Sequence, residues 1–496
     1  MGGADYLDWA LNLSALGVYI HAVTVAIVIG FSLALLIVEF VGIRRKDDLL
    51  LKAAKTVSLA LLIVFVYGAA TGTLVEFGLL QVWSGVLLVA GSFAFIPFYL
   101  ELVAFVLEAA TLIALYYTWG KFRNPWSHWL ITLTYTFAAL LSGALITSVN
   151  SWMQAPWGVG EIVKQIYPWA PSYGPLVVNV DFLLSVKNAL VSVSGSAGGG
   201  VALVNPEILS TLTEKFGELL YDPWIALKSP YSTQSILHQL LASASVGVFW
   251  AASGFAILIL RRRVEGEYYL KAVKTLSAIG AVLILAQGAT AHWMGAVVYE
   301  YQPTKFALIA GLDVSKPDPL VGLTMFGDPN HIFDGFDKLI EVAKNHPNPS
   351  LVIGGVSVVD IAVADTLKAS NLMGVVYPMY MIKVGVAALS LLISLAILSV
   401  FVFRRFWQSR LRLLPYIALV MGVFTPLMAG LGWAVREIGR KPWTVYGLIY
   451  PNEILTPLGG SPLVATTVIG GLIVGFILMC LTLYLVLVKG FKVGGR

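Results

Sequence analysis

The sequence predicts an all-α polytopic membrane protein with about nine transmembrane helices, its N-terminus outside the cell and its C-terminus in the cytoplasm. Three observations carry that prediction. Of 496 residues, 58% are hydrophobic and 12% charged, and soluble domains carry roughly twice that charge fraction. Nine apolar runs are long enough to cross a hydrocarbon core of about 30 Å as helices. The basic residues gather in the connections after alternate runs, as the positive-inside rule requires of cytoplasmic loops.

The first run, 13–41, follows an acidic rather than basic opening and is too long for the apolar core of a signal peptide. It is therefore expected to stay in the mature chain as the first span. The chain turns at Arg44, Arg45 and Lys46 into the second span, 51–73, which carries Lys52 and Lys55 near its start. A weaker run, 77–92, holds Trp83 and Gly85 and reads as an outer re-entrant or interfacial connection. Spans 93–118 and 128–150 flank a basic turn at Lys121 and Arg123.

Residues 151–235 form a long outer loop, with a Gly/Ser-rich patch from Ser192 to Gly200 that reads as a flexible turn. Spans 236–260 and 270–298 enclose Arg261, Arg262, Arg263, Lys271 and Lys274. The second outer excursion, 299–375, is rich in aspartate and helically patterned around 336–344 and 358–367. The last spans are 376–402, 413–436 and 464–488. Arg404, Arg405, Arg410 and Arg412 separate the first two of these, and the tail adds Lys489, Lys492 and Arg496. Together these connections hold more than half of the 32 Lys and Arg residues, which fixes the expected orientation. The single Cys480, inside an apolar run, excludes a disulfide framework and Cys-rich metal clusters. No internal repeat suggests a transporter built from duplicated halves, and no nucleic-acid partner is expected.

An ionisable side chain inside a span costs several kcal/mol, so its default reading is functional. His21 falls in the outer third of the first span, and His238 opens the fifth at the outer face. Lys383 lies in the first turns of the seventh, beside Met379 and Met381, and Glu437 closes the eighth. Four helices thus bring ligand-type groups to one depth. Imidazole, thioether and carboxylate all serve as haem-iron ligands. A core histidine bonded to a hydroxyl is the plainer reading of either imidazole alone, but not of all four groups together. On the third span Glu101 and Glu108 are seven residues apart, hence on one face and about 10 Å apart along the axis. They resemble a proton relay from the cytoplasm; two acids bonded to neighbouring Ser or Thr are the alternative. Ser148–Pro156 is either a helix end with aromatic anchors or a set of partners for haem propionates. His292 is a weaker ligand candidate, and His128, at the inner start of the fourth span, reads as an interfacial residue.

Three ordered motifs then carry a resemblance. Gly432-Trp433, Glu437, Gly439-Arg440-Lys441-Pro442-Trp443 matches GWxxxExGRQPW with Lys441 for Gln, Asn150-Ser151-Trp152-Met153-Gln154 matches NGWMQ, and Gln302-Pro303-Thr304-Lys305 matches the QxxK opening of a quinol-binding loop. Over most of its length the chain resembles subunit I of the cytochrome bd-type oxidases, copper-free membrane quinol:oxygen oxidoreductases.

The resemblance implies a low-spin haem b, a high-spin haem b, and a haem d (or a third haem b in its place). It makes His238 a ligand of the low-spin haem and His21 and Glu437 ligands of the two high-spin haems. Asn150, Trp152, Trp433 and Arg440 would form the haem environment, with Arg440 suited to a propionate. Glu101 and Glu108 would lie on the proton path, Gln302 and Lys305 in the quinol site, and haem iron would be the only metal.

It organises the chain as a first four-helix bundle at 1–150, an outer insertion at 151–235, helices five and six at 236–298, a quinol-loop region at 299–375, and helices seven to nine at 376–496. The expected partners are a second membrane subunit (subunit II-like or a paralogue of subunit I), often a small single-span subunit, quinol and O2. The expected location is the plasma membrane of a prokaryote.

Two departures matter. The family's Arg-x-Met triplet is Met381-Ile382-Lys383 here, so the sixth ligand of the low-spin haem is either Lys383 as a neutral amine or Met381 from a shifted helix. The acidic residue expected five positions after Lys305 is Ala310, with Glu300 or Asp313 as substitutes. The function implied is quinol oxidation at the outer face coupled to reduction of O2 to water, with proton uptake from the cytoplasm. The alternatives are a paralogue with another electron donor or a purely structural role, and a haem-free transporter.

Overall fold

In a bilayer each segment must satisfy its own backbone hydrogen bonds, and long apolar helices accordingly dominate the computed structural model. It describes residues 3–83, 85–177, 222, 224–261, 266–353, 355–403, 412–454 and 462–488. The patch Ser192–Gly200, Arg262, Arg263, Arg404, Arg405, Arg410 and the basic tail lie outside these residues.

The first four long helices are α1 (Gly3–Arg45), α2 (Asp48–Val82), α3 (Gly85–Thr118) and α4 (Pro125–Gln154). Short α5 (Ile162–Ile166) and α6 (Ile225–Lys228) precede α7 (Pro230–Arg261) and α8 (Gly266–Tyr301). Four further short helices follow: α9 (Pro303–Ala310), α10 (Pro319–Phe326), α11 (Phe336–Lys344) and α12 (Val358–Ser370). Then come α13 (Met373–Val402), α14 (Leu414–Ile438), α15 (Pro451–Ile454) and α16 (Pro462–Leu483).

Among the described residues eight helices are long and apolar enough to cross a membrane: α1–α4, α7, α8, α13 and α14. Apolar α16 occupies the region of the ninth expected span. The run 77–92 is helical: it is the end of α2 and the start of α3, broken at Trp83. At about 1.5 Å per residue both helices exceed the hydrocarbon thickness and continue past it. Trp83 holds the break against α1 by donating from its indole N–H to Ser14 Oγ at 2.7 Å.

Local signals set the ends. Asn124 accepts from Trp126 N at 3.1 Å ahead of Pro125, and so starts α4. Asp47 accepts from Leu49 N and Leu50 N at 3.1 and 3.3 Å and starts α2. Its other oxygen pairs with Lys271 Nζ at 3.1 Å, joining two of the basic turns at one end of the bundle.

Helix α7 is the central post, packed against α1, α4, α8 and α14. It crosses α1 at two glycines: a Cβ on Gly30 would lie 2.4 Å from Gly247 Cα. Ala26, Ala34, Ala244 and Ala251 flank the crossing, a small-residue seam that lets backbones approach. Replacing Gly30 by Ala is expected to cost on the order of 1–3 kcal/mol by overpacking and to lower the thermal midpoint of the purified protein. Gly254→Ala, with nothing within 4 Å of the new methyl, is the control expected to leave it unchanged. On α3 and α13, by contrast, Val103, Val106, Leu389 and Leu392 project away from the bundle.

At the end opposite the basic turns, α5, α6, α9–α12 and three two-stranded ladders form a second layer. The ladders are β1 (Val159–Gly160) with β2 (Tyr173–Leu176), β3 (Lys316–Pro317) with β4 (Ile332–Phe333), and β5 (Val352–Ile353) with β6 (Val356–Ser357). Trp152, Trp443, Tyr167, Tyr173, Tyr231 and Tyr446 are fully buried in its core. Helices α11 and α12 arise where 336–344 and 358–367 were patterned. Gly311 ends α9 at φ +64°, where Tyr377 of α13 already fills the space a Cβ would need.

Candidate functional site

Three helix termini converge beneath this second layer. The last turn of α4 presents Asn150, Ser151 and Gln154, and the last turn of α14 presents Arg436 and Glu437 with Arg440 just beyond. Each set has i, i+1, i+4 spacing and so shares a face. The start of α9 adds Gln302 and Lys305.

Glu437 is held from three sides. Asn150 Nδ2 donates to Oε1 at 3.0 Å and Gln154 Nε2 to the same oxygen at 3.3 Å, while Arg440 Nη2 pairs with Oε2. An ionised carboxylate offers about four lone-pair directions, so these bonds leave one to spare. Arg436 Nε donates to Asn150 Oδ1 at 2.5 Å, and its Nη2 donates to Ser151 Oγ at 3.1 Å. Lys305 is 3% exposed and spends its three donors on Gln154 Oε1 (2.9 Å), Gln302 Oε1 (3.2 Å) and Arg436 O (3.2 Å). Tyr231 donates to Gln302 Oε1 at 2.7 Å. Charges held this close together and largely out of water are tolerable only when paired and hydrogen-bonded.

Outside the spans the electrostatics follow burial. Burial, reinforced by the Arg436 cation, holds the Lys305 ammonium well below its ordinary range, with Glu437 opposing. Burial likewise pushes Lys441 down to about 8, with Arg440 adding to it. Neither Glu300 nor Asp313 takes the place of the acid absent at Ala310. Both are exposed, while the Lys305 donors point inward to amide and backbone oxygens.

Beside this network, Gln287 Nε2 on α8 lies 3.0 Å from Nδ1 and 3.1 Å from Nε2 of His238 on α7, and Thr290 Oγ1 lies 3.4 Å from Nδ1. Lys383 and Arg436 are the cations that act on it. Lys383 reaches α14 beside Gly432, where a Cβ would stand 3.5 Å from its Nζ. Met381 is 39% exposed on another side of α13. His21 faces α2, with Nδ1 3.3 Å from Thr71 Oγ1 and the ring against Gly72.

Trp433 stacks on Arg436 at 5.6 Å. Trp152 is closed into the outer core, its N–H donating to Trp157 O at 3.1 Å. On α3, Glu108 is 6% exposed, and Ser142 Oγ donates to Glu101 Oε1 at 3.1 Å. His292 is exposed.

His128 is not interfacial. It is 5% exposed, its Nδ1 is 2.6 Å from Glu39 Oε1, and Glu39 is itself 2% exposed. The helix start lies at the membrane boundary, but α1 and α3 cover the imidazole. Gln154, within the Asn150–Gln154 motif, joins the network, whereas Arg436 carries no sequence signal beyond that of an ordinary snorkelling cation.

Among the described residues no three His, Cys, Asp or Glu side chains converge on a point that could hold a bare metal ion. Ligand-type groups arrive singly, as a porphyrin-held iron requires, since the macrocycle supplies the equatorial donors. Buried Arg440 Nε and Nη1 and Trp433 Nε1 have no hydrogen-bond partner among the described residues. Buried donors are rarely left so, and a propionate carboxylate would satisfy them; the donor set fits haem.

The sequence matches the family described as cytochrome bd terminal oxidase subunit I over residues 9–493. It is 24% identical over 446 residues to cytochrome bd ubiquinol oxidase subunit 1 of Bacillus subtilis (strain 168), covering 88% of this chain and 83% of that one. A stretch of 176 residues is 27% identical to cytochrome bd-II ubiquinol oxidase subunit 1 of Escherichia coli (strain K12), 35% of this chain and 34% of that one. The fold is similar to that of bd oxidase from Geobacillus thermodenitrificans, with a TM-score of 0.72, 19% identity and 99% of each chain covered.

Proposed function

The chain belongs to the cytochrome bd terminal oxidase subunit I family, and on that premise we propose that it is the haem-bearing subunit of a plasma-membrane quinol oxidase. Members of this family generally work with a second subunit. The observation that carries the reading is the partly buried Glu437–Arg440–Asn150–Gln154 network, with Arg440 and Trp433 donors unpartnered among the described residues.

In this reading the basic turns face the cytoplasm, the N-terminus is outside, and the network lies at the outer face. His238 with Lys383 would hold the low-spin haem b. Lys383 is preferred to Met381 because it lies between α13 and α14 whereas Met381 is exposed. His21 and Glu437 would hold the two high-spin haems, and Arg440, Trp433 and Asn150 would hold propionates. When bound, the haems supply the electron relay and the iron at which O2 is reduced to water.

The remaining work belongs to side chains. Gln287 and Thr290 fix the ring of His238, and a shift of the Gln287 amide would release a nitrogen for iron. Asn150 and Gln154 orient Glu437, and Arg440 and Arg436 balance its charge. Glu108 and Glu101 pass protons from the cytoplasm toward the outer end, so charge crosses most of the membrane without a pump. Lys305 is suited to accept a proton from a bound quinol as the neutral amine, which burial favours and which gives up one of its three donations. A reduced-minus-oxidised absorption spectrum of the purified protein tests this reading; haem bands are expected, and their absence leaves only a haem-free transporter.

One observation favours a second reading, a paralogue whose quinol site is altered: all three Lys305 donors are spent internally and no carboxylate pairs with it. The first reading expects Lys305→Gln to lower quinol-driven oxygen uptake about tenfold while uptake from an artificial reductant is unchanged. Equal rates from quinol would move the donor site elsewhere.

A further inference from the structure

One buried carboxylate in the second layer has no part in the mechanism above. Asp365 on α12 is 2% exposed. Its Oδ2 accepts from the hydroxyls of Tyr167, at 2.6 Å, and of Tyr450, and its Oδ1 pairs with Lys368 Nζ at 3.2 Å. Tyr167, just past α5, is fully buried, and its oxygen accepts from Trp443 Nε1 at 2.9 Å. Close packing alone is met by phenylalanine, without the cost of sealing in a charge. Two phenols on one buried carboxylate call for a chemical reason.

The rings beside Asp365 are contiguous. The centroids of Trp443 and Tyr167 lie 5.1 Å apart, those of Tyr167 and Trp169 5.3 Å, and those of Trp169 and Trp443 6.1 Å. At one end, Trp443 N donates to Arg440 O at 3.2 Å, and the Arg440 guanidinium pairs with Glu437. At the other, Trp169 and Tyr450 are half-buried and Lys368 is exposed. Burial, with Tyr450 and Asp365 beside it, holds the Tyr167 phenol well above its ordinary range, so it keeps its proton in the resting protein. That proton leaves only when the ring loses an electron, because an oxidised phenol is a strong acid. The carboxylate at 2.6 Å is placed to receive it.

We propose that Trp443, Tyr167 and Trp169 form a one-electron relay from the Glu437 site to the protein surface, which supplies the missing electron when O2 or hydrogen peroxide is reduced at that site with too little quinol. The inference rests on the reading that Glu437 holds a haem at which oxygen is reduced. Trp443 gives an electron toward the site and keeps its N–H on the Tyr167 oxygen. Tyr167 refills Trp443 and in the same event passes its hydroxyl proton to Asp365 Oδ2, leaving a neutral tyrosyl radical and a neutral Asp365. A one-electron reductant at the surface, a thiol or an ascorbate-type enediol, then returns an electron through Trp169. The proton goes back from Asp365 to Tyr167. Each electron sent to the site is replaced by one from outside, and the oxidising equivalent leaves the site before it damages it.

An aromatic core that only ties α12 to the ends of α5 and α14 would share the packing but not the radical. The test uses the purified, haem-loaded complex, oxidised and free of quinol, mixed with hydrogen peroxide and frozen for electron paramagnetic resonance. Protein grown with ring-deuterated tyrosine assigns the radical. Wild type is expected to give a tyrosyl signal that added ascorbate removes. Tyr167→Phe and Trp443→Phe, which keep an aromatic ring in place, are expected to cut that signal at least tenfold with an unchanged haem spectrum before peroxide, and to lose haem absorption several-fold faster after it. Asp365→Asn, which leaves the rings and removes the proton acceptor, is expected to lower the signal similarly and covers a Phe variant that fails to fold. A signal undiminished in these variants, or no tyrosyl signal in wild type with haem bound, would overturn this inference alone. Absence of haem bands from the purified protein would overturn the reading it rests on.

Discussion

Replacing His238 by Ala is expected to abolish the low-spin haem b signal and to drop quinol-driven oxygen uptake by about 10²-fold or more. Loss of an axial ligand removes the relay rather than slowing it, and 10²-fold already corresponds to about 2.7 kcal/mol in barrier. The specificity of the effect comes from α7. His238 stands on its first turns while the same helix, through Gly247, is locked against Gly30 further along. The fold should therefore survive, and the high-spin signals with it. A milder loss is expected for Gln287→Ala, since the group that orients a ligating imidazole typically contributes 10–100-fold in metal affinity. Haem quantitation with redox difference spectra checks both variants. An unchanged low-spin band in His238→Ala would assign that ligand elsewhere.

Glu108→Gln is expected to reduce turnover by about 10²-fold while leaving haem content intact. The carboxyl is buried on the face of α3 that packs against α4. Gln keeps its volume and part of its hydrogen bonding but cannot take up and release a proton. A purely structural Glu108 would show the reverse, with less haem or folded protein and normal turnover per haem. Steady-state oxygen uptake normalised to haem separates the two. Full activity would count against the path.

The spans were legible because a bilayer forces backbone closure and long apolar runs, and both are visible residue by residue. Their lengths were less so. The run 77–92 was too short to be a span of its own, and nothing local shows that two helices protrude and turn at Trp83. At the site, Asn150, Glu437 and Arg440 stand out as polar residues at apolar helix ends and Gln302 and Lys305 only through the motif resemblance, and the five share one network. Arg436 did not stand out, since a cation beside a tryptophan at the membrane boundary is ordinarily a snorkelling anchor. Its burial depends on Asn150 and Ser151, which lie 286 and 285 positions earlier. The misreading of His128 has the same origin. Its partner Glu39 is 89 residues away, and only the packing of α1 on α4 makes a helix start into a sealed pair.

The central claim is that His21, His238 and Glu437, from three separate helices, each reach a haem iron near the outer face. A density map of the purified, pigmented complex tests it most directly. The account expects an iron within bonding distance of each of these side chains, with Lys383 opposite His238 and propionates on Arg440 and Trp433. Side chains packed only against protein or lipid, with no porphyrin between them, would contradict it.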